Sequence, residues 1–176
     1  VLGAEVGDTE KAVVLARNRD GLSSLNRLIS AWHLSEETPD LPSLLASLPQ
    51  EDLFILSPSP KILRRLQGMK NVFAELLAYD EIQGRRRAES TLSLSRSLNI
   101  PAVATARVHF ESPRDHEVHR LLSAIRSGTT LGSLPPMAAV SPSFYFRSEA
   151  GMRRMFAEIP GAVDRSGDIA SACSVD

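Results

Sequence analysis

The chain has 176 residues, a length that suits one domain with a substantial core, and no apolar run is long enough to cross a bilayer. Twenty Lys and Arg against 21 Asp and Glu leave a formal net charge of −1. The chain therefore has no large net positive charge that would attract nucleic acid or membranes. The single cysteine excludes a disulfide framework and a multi-cysteine zinc site, and it favours a reducing, cytoplasmic location.

Short apolar runs alternate with helical patterns, which predicts an α/β fold. The chain opens directly on a strand-like stretch without Met, so we expect a fragment of a longer protein. Asp20 is expected to cap the first helix, which ends near His33, and Asp40 to cap a short second one. The expected strands cover 1–6, 12–15, 53–56, 71–76 and 102–105, and later helices cover 62–66 and 82–98. A further helix, capped by Asp115, carries Val118, Leu121, Leu122 and Ile125.

The periodicity lapses after Gly128 for roughly twenty residues, which predicts a loop. Ser148 then caps a helix over 149–157 that turns Met152, Met155 and Phe156 inward, and 160–173 forms the last helix. We therefore expect one domain over 1–176. It divides into β/α units over 1–126, a loop over 127–147 and a helical segment over 148–176.

Strands that alternate with helices are expected to pair in parallel through right-handed crossovers. The chemistry of such sheets lies at the carboxyl ends of the strands. Five such ends are predicted, and they carry Glu5, Arg17 with Asn18, Ser57, Glu75 with Leu76, and residues 106–109.

The last of these ends is the most suggestive, because Arg107 and His109 lie two apart, on one face of an extended chain. Asp-x-His at this spacing can hold a metal, but Arg107 is a permanent cation that cannot ligate. A lone histidine at a strand end is more often structural, and Glu5 alone is weak evidence. His116 and His119 can share a helix face but need a third ligand. We expect His119 to hydrogen-bond into the strand-end layer and His116 to be solvated.

The run Arg85, Arg86 and Arg87 can meet phosphate or an acidic partner. Glu81 and Glu89 stand at helical spacing from it, so charge pairs on a solvated face explain much of the run. The sequence contains neither a glycine-rich phosphate-binding motif nor a serine-hydrolase elbow.

Several segments, in order, resemble the PHP (polymerase and histidinol phosphatase) domain of bacterial DNA polymerase III alpha subunits. The segments 15–22 and 25–30 are similar to the part that follows its third strand. The further matches are 72–76, 100–105 with Val108 and His109, Asp115 with 119–122, and 124–131. Residues from Phe146 to Cys173 look like the connection to the polymerase palm. The replicative and error-prone branches match about equally well.

This resemblance implies a distorted seven-stranded β/α barrel, incomplete at its N-terminus, with up to three metals at the strand ends. Two of the family's ligand motifs would lie upstream of Val1. Glu5 and His109 match two of the other ligands and are candidate remnants of the site, while Lys11 and Arg107 stand where the family has a histidine and an aspartate. No cofactor is therefore expected. The two cations are expected to lie near Glu5 and His109, in place of the metal's charge.

Three functions stay open. The first is a degenerate scaffold that contacts the palm of its own chain, a proofreading exonuclease or DNA, and is not catalytic by itself although its parent is a DNA polymerase. The second is an active phosphoesterase or 3′–5′ exonuclease with zinc or manganese, which needs upstream histidines. The third is a DNA-contacting module that uses Arg85, Arg86, Arg87 and Arg114. A homodimer that covers open strand edges is a further possibility.

Overall fold

A computed structural model describes residues 1–35, 39–135 and 138–175, and it confirms the α/β class. In chain order its strands and α-helices are β1 (Leu2–Val6), β2 (Ala12–Ala16), α1 (Arg19–Leu34), α2 (Leu41–Ala46), β3 (Leu53–Ser57), α3 (Pro60–Arg65), β4 (Val72–Leu77), α4 (Ile82–Leu98), β5 (Ala102–Thr105), α5 (His116–Arg126), α6 (Glu149–Met155) and α7 (Pro160–Ala172). Two short 3₁₀ turns, Pro113–Asp115 and Leu131–Ser133, flank α5. Pro136 and Met137 of the expected loop lie outside the described residues.

The strands form one mixed sheet in the order β1-β2-β3-β4-β5. The expectation of all-parallel pairing is wrong for the first three strands, because β1 pairs with β2 and β2 with β3 in antiparallel register. The connection 7–11 is much shorter than the dozen or so residues that a parallel crossover needs, so β1 and β2 form a hairpin. Only β3, β4 and β5 pair in parallel.

Within the described ranges the sheet has five strands and is open, so the seven-stranded barrel that the resemblance implies is not seen there. β1 runs in the same direction as β3, β4 and β5, and β2 runs the other way. One edge of the sheet therefore collects the carboxyl ends of four strands and the start of β2. We call it the carboxyl edge, and it carries Glu5, Lys11, Ser57, Leu77 and Thr105.

Arg17 and Asn18 follow β2 and so lie at the opposite edge, which corrects their expected place among the active strand ends. Asn18 instead caps α1, since its side-chain oxygen accepts a hydrogen bond from the Gly21 N–H at 2.8 Å. The expected cap at Asp20 is wrong, because Asp20 already belongs to the first turn of the helix.

Apart from β1, which is mostly exposed, the sheet is covered on both faces, as the near-continuous apolar strands predict. One face packs Val14, Ile55 and Val72 against α1, α2 and α3. The other face packs Phe54, Leu56 and Val103 against Ile169 of α7.

Three of the predicted local features are confirmed. Asp40 caps α2 and Ser148 caps α6 through their side chains. Phe156 is buried, with Met152 and Met155 packed against its cluster. Asp115, by contrast, does not cap α5 with its side chain; it accepts hydrogen bonds from the N–H and the hydroxyl of Ser112. None of the described helices is long and apolar enough to cross a membrane.

Candidate functional site

Glu5 is the centre of an ion-paired group at the carboxyl edge. The Nζ atom of Lys11 lies 2.8 Å from Glu5 Oε1, and Arg107 Nη2 donates to the other oxygen, Oε2. We call Lys11, Glu5 and Arg107 the Glu5 triad. One carboxylate is thus shared between two cations.

The fold brings these three residues together from distant parts of the sheet. Lys11 precedes β2 and reaches Glu5 because Val6 pairs with Ala12 across the hairpin. Arg107 follows β5, which is the outer strand on the far side of the sheet from β1. The triad therefore links the two outer strands at the carboxyl edge, so the open sheet curls there.

The two cations set the electrostatics of Glu5. Its partial burial by itself raises the pKa of the carboxyl group, but the hydrogen bonds and positive charges of Lys11 and Arg107 outweigh this effect and lower the pKa below its ordinary value. Glu5 is therefore an ionised carboxylate at neutral pH.

Glu75 is a second carboxyl group of the site; its position was expected at a strand end, but the sequence assigned it no role. Its side chain is buried and accepts a hydrogen bond from the Thr105 hydroxyl at 2.7 Å. Desolvation raises the pKa of Glu75, while Thr105 and the charge of Arg107 act in the opposite direction. The available signal was a single charged residue within the otherwise apolar strand β4.

A cavity of about 700 Å³ joins the two carboxyl groups. Its polar wall includes Glu5, Lys11, Glu75, Thr105 and Arg107, and its apolar wall comes from β2, β3 and the two prolines that follow β3. Most of the polar groups in this wall pair with one another, so the cavity offers an internally neutralised surface rather than a free ligand set.

His109 turns toward the loop that follows α5. Its ring stacks on Phe144 at a centroid distance of 5.8 Å, and its backbone N–H donates to the Phe144 carbonyl at 2.8 Å. Desolvation, followed by the positive charge of Arg107, lowers the pKa of His109. The ring of His119 lies 6.1 Å away.

His116 and His119 hold the backbone of Val140 between them. His116 Nε2 donates to the Val140 carbonyl at 3.1 Å, and His119 Nε2 accepts from the Val140 N–H at 3.2 Å. The expectation that His116 is solvated is wrong, because packing against the loop brings it this partner. These two hydrogen bonds attach the loop to α5, and each uses the Nε2 atom of one histidine.

A metal does not fit this donor set. Both carboxylate oxygens of Glu5 are engaged by cations, and each cation would repel a metal ion at that position. In ranges 1–35, 39–135 and 138–175, no three or more His, Cys, Asp or Glu side chains are grouped so that they could hold a metal.

The basic residues singled out in the sequence lie on other surfaces. The Arg85 side chain pairs with Glu89 at 2.8 Å, whereas the Glu81 carboxylate accepts a hydrogen bond from the Ser141 hydroxyl. Arg86 and Arg87 are exposed on α4, and Arg114 is exposed in the 3₁₀ turn before α5.

Comparison with known proteins finds relatives of one kind. No protein-family model matches the chain. The DNA polymerase III subunit alpha of Vibrio cholerae is 30% identical over an alignment of 194 residues that covers 97% of this chain. That of Caulobacter vibrioides is 28% identical over 203 residues and 99% of the chain, and that of Haemophilus influenzae is 37% identical over 90 residues and 51% of the chain. The chain is homologous to part of the DNA polymerase III alpha subunit.

The resemblance drawn from the sequence is thereby confirmed at the level of the alpha subunit. The chain spans 17% of the Vibrio cholerae alpha subunit, 18% of the Caulobacter vibrioides one and 8% of the Haemophilus influenzae one. The similarity therefore concerns a limited portion of a much longer polypeptide.

Proposed function

We propose that the chain is a PHP-type segment of an alpha-type DNA polymerase III polypeptide, acting in DNA replication or translesion synthesis in the cytoplasm. In this proposal the five-stranded sheet is part of a seven-stranded barrel whose metal site has been replaced by the Glu5 triad. The segment serves as a scaffold and docking surface, and the polymerase activity resides elsewhere in the parent chain.

The observation that carries the proposal is the occupation of both Glu5 oxygens by Lys11 and Arg107. A divalent cation at the carboxyl edge would neutralise the carboxylate and tie its neighbours together. Two side-chain cations can do the same without a metal, and their charge is fixed in place by the fold. This arrangement keeps the structural effect of a metal and removes its chemistry.

The location of the triad supports a scaffold role. It connects β1 with the segment after β5, so it holds the sheet in a curled form at the edge where a barrel of this kind would have its active site. A rigid carboxyl edge would present a stable surface to the palm of the same chain, a proofreading exonuclease or DNA.

Restoring the ligand types tests the proposal. The double variant Lys11→His/Arg107→Asp places a histidine and an aspartate beside Glu5, and we expect it to bind Mn²⁺ or Zn²⁺ in calorimetric titration where the wild type does not. The matched control, Lys61→His/Arg114→Asp, makes the same two changes on exposed surfaces away from the triad. Stoichiometric zinc or manganese in the purified wild type, with phosphoesterase or exonuclease activity, would replace the proposal by the active-enzyme alternative.

A DNA-contacting surface is a second candidate, favoured by the exposure of Arg86 and Arg87 on α4. Neutralising Arg85, Arg86 and Arg87 to Gln should weaken DNA binding by the chain. The salt dependence of its affinity should also fall, by about 0.9 in logarithmic slope for each phosphate that the variant no longer neutralises. Neutralising Arg64 and Arg65, two cations at the end of α3, is the control. Unchanged affinity in the α4 variant would remove this candidate.

A further inference from the structure

The cavity at the carboxyl edge contains hydrogen-bond donors that the described part of the chain does not use. An ammonium group carries three N–H donors and a guanidinium group carries five. Lys11 and Arg107 each direct one donor to Glu5, and among the described residues neither side chain has a second acceptor. Both side chains line the cavity. The pairing therefore satisfies the Glu5 carboxylate but leaves the two cations with donors for a molecule that enters.

The net charge of the Glu5 triad defines the charge of such a molecule. Two cations and one carboxylate leave the triad with a single positive charge, which complements a head group with one negative charge. The cavity wall holds two further carboxyl groups, those of Glu10 and Glu75. They accept hydrogen bonds from the hydroxyl groups of Ser59 and Thr105 respectively. Because these groups add negative charge nearby, a phosphate monoester, which carries about −1.5 to −2 charges, is disfavoured.

A carboxylate suits both the charge and the shape of the triad. The guanidinium group of Arg107 is a planar fork whose paired N–H groups match the two oxygens of a carboxylate. The charged ends of Lys11 and Arg107 are neighbours, because both contact the same Glu5 carboxylate. An entering carboxylate can therefore accept hydrogen bonds from both cations while Glu5 stays in place.

The rest of the cavity wall is mainly apolar and suits a hydrocarbon body. Its apolar members include Val13, Leu15, Leu56, Pro58 and Leu77. The volume of about 700 Å³ lies within the roughly 300–1,000 Å³ that is typical of small-molecule sites. We propose that the cavity binds a small organic acid, with its single carboxylate on Lys11 and Arg107 and its aromatic or aliphatic body against the apolar wall. This inference rests on the proposed function, because it requires that the triad holds no metal.

Three probes that share a phenyl ring test the inference on the wild-type chain. Phenylacetate carries one negative charge, phenylacetamide carries none, and phenyl phosphate carries more than one. Binding is measured by ligand-observed NMR titration, in samples whose folding is verified by a cooperative urea transition of Trp32 fluorescence. We expect phenylacetate to bind at least roughly tenfold more tightly than either of the other probes, because only phenylacetate matches the charge of the triad.

Two variants locate the binding site. Arg107→Gln removes the guanidinium fork and should weaken phenylacetate binding on the order of tenfold. Lys61→Gln is the matched control, because it removes an exposed cation that pairs with Asp40 on a different surface, and it should leave the affinity unchanged. The comparison of the three probes on the wild type does not depend on how well the Arg107 variant folds.

The outcomes separate this inference from the proposed function. Equal binding of phenylacetamide, tighter binding of phenyl phosphate, or unchanged affinity in Arg107→Gln would contradict recognition of a carboxylate by the triad. Absence of phenylacetate binding to a metal-free chain would overturn the inference and leave the proposed function standing. Stoichiometric zinc or manganese in the purified chain, with phenylacetate binding lost after removal of the metal by EDTA and dialysis, would overturn the proposed function and the inference with it.

Discussion

Replacement of Glu5 by Gln removes the charge on which the triad depends while keeping nearly the same side-chain volume. Lys11 and Arg107 would then lie next to each other without a shared anion, and the link between β1 and the segment after β5 would weaken. The loss should appear as a lower free energy of unfolding, measured in urea by the fluorescence of Trp32, which packs against the core and is the single tryptophan.

The expected magnitude follows from the exposure of the three side chains. Glu5 and Lys11 are each 39% exposed and Arg107 is 31% exposed, so solvent screens both pairs and each contributes about 0.5–1 kcal/mol. Two pairs on one carboxylate therefore predict a loss of about 1–2 kcal/mol at low ionic strength, which salt should reduce. Glu89→Gln is the matched control, because it removes one exposed helical pair with Arg85 and should lower the free energy of unfolding less than Glu5→Gln does.

The pH dependence gives a second readout with a definite sign. The pKa of Glu5 is lower in the folded chain than its ordinary value of 4.5, so its contribution is complete above that value and is lost as the pH falls through the folded-state pKa. The difference between wild type and Glu5→Gln should therefore disappear in acid. A loss no larger than that of Glu89→Gln, or one that persists in acid, would refute the assignment of the triad as a structural link.

Three further perturbations follow from the structure. Glu75→Gln should raise the free energy of unfolding at about pH 8 and leave it unchanged at about pH 4, because burial raises the pKa of Glu75 and the wild type loses stability as it ionises; a pH-independent difference in urea unfolding would contradict this. Arg147→Met should cost about 1.5–3 kcal/mol in urea unfolding, since the buried Arg147 guanidinium donates hydrogen bonds to Asp80 and to the Ser143 carbonyl. Gly21→Ala should cost about 1–3 kcal/mol in the same assay, because an added Cβ would lie 2.0 Å from the Asp52 carbonyl oxygen; an unchanged midpoint would show that α1 can shift.

Much of the local structure was predictable because it depends on neighbours in sequence. The capping chemistry located α2 and α6 closely, and the apolar runs located the strands. The error at the start of α1 has a local cause as well, since Asn18 and Asp20 are both suitable caps and only the backbone direction selects between them.

The site was only partly predictable, because it depends on contacts between residues that are far apart in the sequence. The strand-end positions and the resemblance gave Glu5, Lys11, Arg107 and His109 an expected place in the site, whereas Glu75 was placed at a strand end without a role. Its importance arises from burial beneath the carboxyl edge and from Thr105 on the adjacent strand, neither of which is a property of its own segment.

The sequence by itself determined the residue types at the carboxyl edge and the relation to alpha subunits. The tertiary structure decided the strand directions, which moved Arg17 and Asn18 to the opposite edge. It also decided that one carboxylate meets cations from two sides of the sheet. These features depend on pairing between segments far apart in the chain, and local propensity and periodicity carry no information about such pairing.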